Sequence, residues 1–255
     1  MEKCKIDFME VYADQTNKDI VDEQCVCMVE KSTGKKYAIL IGISDYKYIS
    51  DLNYCDEDVT SWYDFFNKKE YKIYVHGDKH KENYPKYSGL ATEKYVRYRI
   101  KKVLSKVSKD DTVAIVVSGH GDGDGNGNSY LCMFDCDGNP NGNYTDKEFY
   151  NDIKDAKCKL FVFFDNCFSG GMLDELKSID KIFATSTCTE KGYGYDDPDS
   201  KNGAWTQCFL EDTLAKYDYK DDIDLIKVFN DAKEKYPYDK ADLPMMVCKY
   251  KKYFI

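Results

Sequence analysis

The sequence predicts an α/β fold: a mostly parallel central sheet of about six strands with helices on both faces. Three observations carry this expectation. Continuous apolar runs recur along the chain, as strands buried on both faces require. Between them lie segments whose apolar residues repeat at helical spacing. Strand and helix alternate almost throughout, which is the order that parallel strands joined by helical crossovers produce. The 255 residues, 42% hydrophobic and 33% charged, suffice for a well-buried core.

Residues 1–35 are mixed in character and end in the turn-like Lys31-Ser32-Thr33-Gly34. They are expected to form an N-terminal extension with one strand near residues 25–29, leaving 36–255 as the main domain. Residues 37–43 (YAILIGI) read as a strand buried on both faces. Residues 56–67 follow as a helix, with Val59, Trp62, Tyr63 and Phe66 on one side. A short strand is expected at 71–75. Residues 92–107 form a second helix, capped by Thr92, with Tyr95, Ile100, Val103, Leu104 and Val107 as its apolar face. The third strand is 112–117 (TVAIVV), and a glycine-rich loop at 119–128 leads to a short strand at 129–134. Thr145, with Glu148 three residues on, has the form of a capping box that opens a helix. Strands at 159–164 (KLFVFF) and 181–186 (KIFATS), helices at 204–214 and 223–235, and a last strand at 245–250 complete the pattern.

Lys+Arg is 37 and Asp+Glu is 46, a net charge of −9. That balance disfavours nucleic acid and anionic membranes as partners and favours basic substrates. No stretch approaches the roughly 18 apolar residues of a membrane span. Met1 to Glu10 has no signal-peptide core, so a cytoplasmic protein is expected. The eleven cysteines contain no C-x-x-C pair, which argues against a zinc ribbon, and without a secretory signal a disulfide framework is not expected. Most are expected to be small buried hydrophobes. His76 and His80 lie among lysines and read as residues of a polar loop.

In an open α/β sheet, ligands bind beyond the carboxyl ends of the strands. The third strand runs into Ser118-Gly119-His120-Gly121, and the fourth long one into Asp165-Asn166-Cys167-Phe168-Ser169-Gly170-Gly171. A histidine and a cysteine, 47 residues apart (167 − 120), therefore leave one edge of the sheet, each beside glycine. Cysteine acyl transfer needs this pair, because a thiol is mostly protonated at neutral pH and requires an imidazole to activate it. The N–H groups of Gly121 and Cys167 are candidate oxyanion donors. No third residue to orient the histidine is evident from the sequence.

The strings SGHG and DNCFSGG resemble those of the caspase-fold cysteine peptidases, and most of all the metacaspases. The His-to-Cys separation agrees with the caspase signature of about 50 residues. The resemblance spans roughly residues 36–250 and includes Gly-Ile-Ser at 42–44, YCDEDV at 54–59 and GAWT at 203–206. It implies a caspase-like three-layer sandwich, with His120 as base and Cys167 as nucleophile. It also implies an acidic S1 pocket from Cys55, Asp58, Ser118 and Asp165. Two carboxylates facing one slot suit a guanidinium or ammonium and repel an aspartate, so cleavage after Arg or Lys is expected. Many metacaspases use calcium as an activator. Here Asp174, Asp146 and Asp135 match their ligands, but Lys147 stands where a second acid belongs. Asp122, Asp124 and Asn126 imitate the start of an EF-hand loop, yet Met133 occupies its twelfth position, which excludes that motif. No cofactor is required for the chemistry. Self-cleavage is expected at Lys191, at Lys201 or within 31–36, because nicking concentrates at exposed tips. The lack of a Pro/Gln-rich prodomain and of a long insert after Gly194 points to a minimal catalytic unit and a monomer. Two alternatives remain at this stage: a catalytically silent caspase-fold interaction module, and a related peptidase specific for Asn or Asp.

Overall fold

The computed structural model describes residues 28–29, 32–124, 126–138, 141–219 and 221–255. Among them, seven strands form one sheet: β1 (Lys36–Gly42), β2 (Lys72–Gly77), β3 (Tyr87–Leu90), β4 (Thr112–Ser118), β5 (Lys159–Asp165), β6 (Ile182–Ser186) and β7 (Met245–Cys248). Their order across the sheet is β7-β6-β5-β4-β1-β2-β3, and every pairing is parallel except that of β6 with the edge strand β7. The sequence predicts about six strands. The additional β3 is short and only partly buried, with no apolar run to announce it.

Alternation along each strand builds two cores. Ile39, Ile41, Val113, Ile115, Leu160 and Val162 face one side. Ala38, Leu40, Ala114, Val116, Phe161 and Phe163 face the other. The first side is covered by α2 (Glu93–Leu104) and α3 (Asp146–Ile153), through Val96, Ile100, Val103, Phe149 and Ile153. The second is covered by α1 (Cys55–Lys68), α4 (Ala204–Thr206, continued by a π-helical turn over Gln207–Glu211) and α5 (Leu225–Lys233). Trp62 of α1 is completely buried there, its ring 4.8 Å from Phe163 and 5.4 Å from Phe66.

Local signals behave as their chemistry dictates. Thr92 caps α2 by accepting the Tyr95 N–H, and both bonds of the Thr145–Glu148 capping box are present. Two side chains differ from expectation. Tyr95 lies one position off the Val96-Ile100-Val103 stripe and is exposed. His76 is not in a loop: it is buried within β2, where Arg99 Nε donates to its Nε2 at 3.2 Å. Burial and the adjacent guanidinium hold it neutral, with a pKa lowered to about 4. His80 does lie in a loop, 3.0 Å from Asp45.

Met28–Val29 pairs in parallel with Lys252–Tyr253, and the rest of the strand expected at 25–29 lies outside the described residues. The extension expected at residues 1–35 also falls mostly outside them. No helix among the described residues is long and apolar enough to cross a membrane.

Candidate active site

The chain adds β2 and β3 on one side of β1 and β4, β5 and β6 on the other. The β1/β4 boundary is thus the topological switch point, where the carboxyl ends of the strands open a crevice. β4 and β5 are in register there, with Ser118 opposite Asp165, so His120 and Cys167 each emerge two residues beyond a matched pair. The two loops touch. A Cβ on Gly121 would stand 2.3 Å from the Cys167 carbonyl oxygen, a separation that only glycine permits.

His120 is held by the loop after β1. Its N–H donates to Tyr46 Oη at 2.7 Å, and the Tyr46 ring lies 5.0 Å from the imidazole. Asp51 accepts the Tyr46 N–H at 2.8 Å, which folds the loop back so that the Ser50 carbonyl lies 2.9 Å from His120 Nε2. A carbonyl only accepts, so Nε2 carries the proton and Nδ1 of the neutral ring keeps its lone pair. Burial lowers the His120 pKa, opposed by the Ser50 hydrogen bond and the Asp51 charge, which leaves the ring neutral at neutral pH. The orienting group missing from the sequence is therefore a main-chain carbonyl, which leaves no mark on residue type.

Cys167 is partly exposed, and its Sγ lies 3.8 Å from the Gly194 carbonyl. Burial pushes its thiol pKa up, so at rest it holds its proton. Phe168, next in sequence, has a left-handed backbone (φ 56°) and donates its N–H to the Gly192 carbonyl at 2.9 Å. Cys132 N–H donates to the His120 carbonyl at 3.0 Å. The alternation of an antiparallel ladder then turns the N–H of Gly121, opposite Leu131, to the other side. The eight described cysteines are unpaired, and apart from Cys167 and Cys248 they are buried.

Cys55, Asp58, Ser118 and Asp165 converge beneath the crevice. Ser118 Oγ donates to Asp58 Oδ2 at 2.6 Å, and Gly203 N–H to Oδ1 at 2.8 Å. Thr206 donates both its N–H and its hydroxyl to Asp165 Oδ2, each at 2.8 Å. Gly203 separates the two acids: a Cβ on it would fall 2.4 Å from Asp165 Oδ2 and 3.0 Å from Asp58 Oδ2. Asp58 is 1% exposed and Asp165 7%. Burial and the mutual repulsion of the acids raise the Asp58 pKa well above its ordinary value. Burial chiefly raises that of Asp165, to about 6. A third acid, which the sequence reading did not single out, joins them. Asp196 pairs with Gly203 across a short antiparallel ladder, and its half-buried charge acts on Asp58, Asp165 and Cys55.

Of the three acids expected to bind calcium, Asp135 lies apart from Asp146 and Asp174. Asp135 sits at the start of α2, accepting the Glu93 N–H at 3.1 Å. Asp146 and Asp174 both act on Glu175, but Asp174 pairs with Lys177 at 2.9 Å, and Asp146 accepts the Ser129 and Lys147 N–H groups. Among the described residues, no group of three or more His, Cys, Asp or Glu side chains is arranged to hold a metal ion. The ligand set that the resemblance implied is thus not assembled as one cluster among the described residues.

Comparison with known proteins agrees with this architecture. The chain is similar in structure to protein GSU0716 from Geobacter sulfurreducens (TM-score 0.62, 16% identity, covering 84% of this chain and 94% of that one). It is similar to caspase-1 from Spodoptera frugiperda (TM-score 0.63, 10% identity, covering 94% and 96%). It is similar also to the Drosophila initiator caspase Dronc (TM-score 0.65, 13% identity, covering 99% and 96%). At these identities the likeness concerns the fold. No curated protein sequence matches the chain. The caspase-domain family model, however, matches residues 35–255, the span of the sheet and of both crevice loops, and the chain accordingly belongs to the caspase-domain family.

Proposed function

We propose that the chain is a cysteine endopeptidase that cleaves peptide bonds after Arg or Lys. The observation that carries this reading is the commitment of His120 Nε2 to the Ser50 carbonyl, on a loop packed against that of Cys167. It leaves Nδ1 as the free base, on the loop that adjoins that of the protonated Cys167 thiol. Nδ1 takes the Sγ proton as sulfur attacks the scissile carbonyl, and the carbonyl π-electrons move onto oxygen. The N–H groups of Gly121 and Cys167 receive that oxyanion. The imidazolium then returns the proton to the departing amine, and water hydrolyses the thioester with His120 again as base.

Asp58 and Asp165, with Asp196 nearby, supply the selectivity. Buried carboxylates that make no ion pair among the described residues favour a guanidinium or ammonium and repel an acidic side chain. Lys191 and Lys201 are exposed in the segments flanking the crevice and are the sites at which self-processing is proposed.

Peptide reporters ending in Arg, Lys, Asn and Asp, with and without calcium and with Cys167→Ala, test the reading. Turnover of the Arg and Lys reporters is expected, lost in Cys167→Ala and retained under chelation. Turnover that survives Cys167→Ala removes the nucleophile assignment, and turnover of Asp reporters alone removes the acidic pocket.

A further inference from the structure

We propose that Asn166 is a positioning residue that fixes the distance between the His120–Gly121 loop and the Cys167 loop, and with it the geometry of the oxyanion site. The proposal rests on the peptidase reading above. Asn166 is 3% exposed and lies between the last residue of β5 and Cys167. Its Nδ2 donates to the Cys167 carbonyl at 2.9 Å. The same nitrogen is 2.2 Å from the point where a Cβ on Gly121 would stand, and the Cys167 carbonyl oxygen is 2.3 Å from it. The Gly121 Cα, the amide and the Cys167 carbonyl thus meet at one place.

The amide orientation follows from chemistry, since the atom facing a carbonyl oxygen must be the donor. That orientation leaves Oδ1 buried without a hydrogen-bond partner. An apolar side chain would avoid this cost, so the residue's use lies in its other half. The Phe168 N–H is held by Gly192, so the peptide that carries the Cys167 carbonyl is gripped from both sides. Without the amide, the Cys167 peptide and Gly121 are free to separate, and the two N–H groups aimed at the oxyanion lose their common focus. Oxyanion donors act in the transition state, so this loss falls on kcat rather than on substrate binding.

The test compares full-length wild type with Asn166→Ala and the isosteric Asn166→Asp. On an Arg reporter, kcat is expected to fall about 10-fold or more, while KM stays within about twofold. A peptidyl-arginine aldehyde adds to the thiol: the S–C bond forms, the carbonyl π-bond breaks and the oxygen takes the proton. Its affinity should fall by the same factor as kcat/KM. Alkylation of Cys167 by iodoacetamide is displacement at saturated carbon and creates no oxyanion, so its rate should not change. In Asn166→Asp a protonated carboxyl regains a donor, so its activity relative to wild type should recover as pH falls, whereas that of Asn166→Ala stays flat. Unchanged kcat in both variants overturns the proposal, and so does a parallel loss of alkylation, which would mean general loosening. A wild type that is alkylated at Cys167 yet turns over no reporter overturns the peptidase reading itself.

Discussion

Replacing Asp165 by asparagine should make the protein more stable and less selective at once. The folded state raises this carboxyl from 3.8 to about 6. A group held more protonated in the fold than in the unfolded chain contributes most below the unfolded pKa, and loses that contribution as pH rises through the folded one. At pH 7 the ionised Asp165 therefore costs the fold about 3 kcal/mol, at about 1.36 kcal/mol per pKa unit. The cost shrinks to about 1 kcal/mol at pH 4.5. In Asp165→Asn the side-chain oxygen keeps the two Thr206 bonds at the Oδ2 position beside Gly203, and the charge that repels Asp58 is gone. Urea denaturation should therefore show a gain of up to about 3 kcal/mol at pH 7 and about 1 kcal/mol at pH 4.5. In the same variant, kcat/KM on an Arg reporter should fall about 30-fold or more, since losing one partner of a buried charge pair costs about 2 kcal/mol or more. A variant less stable than wild type at pH 7, or a gain independent of pH, would refute the claim that Asp165 is an ionised and strained acid in the resting fold.

Three further outcomes are expected. The ratio of kcat/KM for an Arg reporter over its neutral citrulline isostere should fall about tenfold per pH unit below about 6, as the Asp165 carboxyl protonates; the titration of His120 cancels in the ratio, and a flat ratio between pH 5 and 8 would sink the acidic slot. Tyr46→Phe strips the His120 N–H of its acceptor, an unmet buried bond that costs about 1–3 kcal/mol. Reporter assays should show kcat down about tenfold and the Arg/citrulline ratio unmoved, and a changed ratio would contradict the separation of base and slot. Trp62→Ala empties the centre of the aromatic core under α1 and should lower the free energy of unfolding by about 3–5 kcal/mol in chemical denaturation. A loss below about 1 kcal/mol would mean that the stack around Phe163 and Phe66 does not brace the sheet.

How far the fold was legible depended on burial. Residues 38–42, 113–117 and 160–164 are buried without a break, so the apolar runs in the sequence coincide with β1, β4 and β5. β3 was not legible because its residues are half-buried or exposed and include Ser88 and Gly89, a composition that reads as turn. His76 misled for the opposite reason. Its polarity suggests a loop, but it is buried in β2 and partnered by Arg99, a pairing set by tertiary structure and invisible along the chain. Tyr95 shows the limit of periodicity: an aromatic one position off the Val96-Ile100-Val103 line is indistinguishable in sequence from a member of it, yet it points to water.

The candidate site divides along a similar physical line. His120 and Cys167 were legible because each sits at a fixed offset from a strand end, and the register of Ser118 with Asp165 turns two local motifs into one crevice. Asp58 and Asp165 follow from the same motifs, and they meet on either side of Gly203. What the sequence hid are groups brought in by loops. The Ser50 carbonyl belongs to a backbone that any residue shares, and it reaches His120 only because Asp51 and Tyr46 fold the β1 loop back. Asp196 lies in a polar, turn-like stretch and gains meaning only through its pairing with Gly203, 145 residues after Asp58. Asp135, matched by motif position alone, lies at the amino end of α2, where it accepts the N–H of Glu93. The motif thus locates His120 and Cys167 at neighbouring strand ends, while the tautomer of His120, the third acid and the place of Asp135 are decided by hydrogen bonds between segments that the sequence keeps far apart.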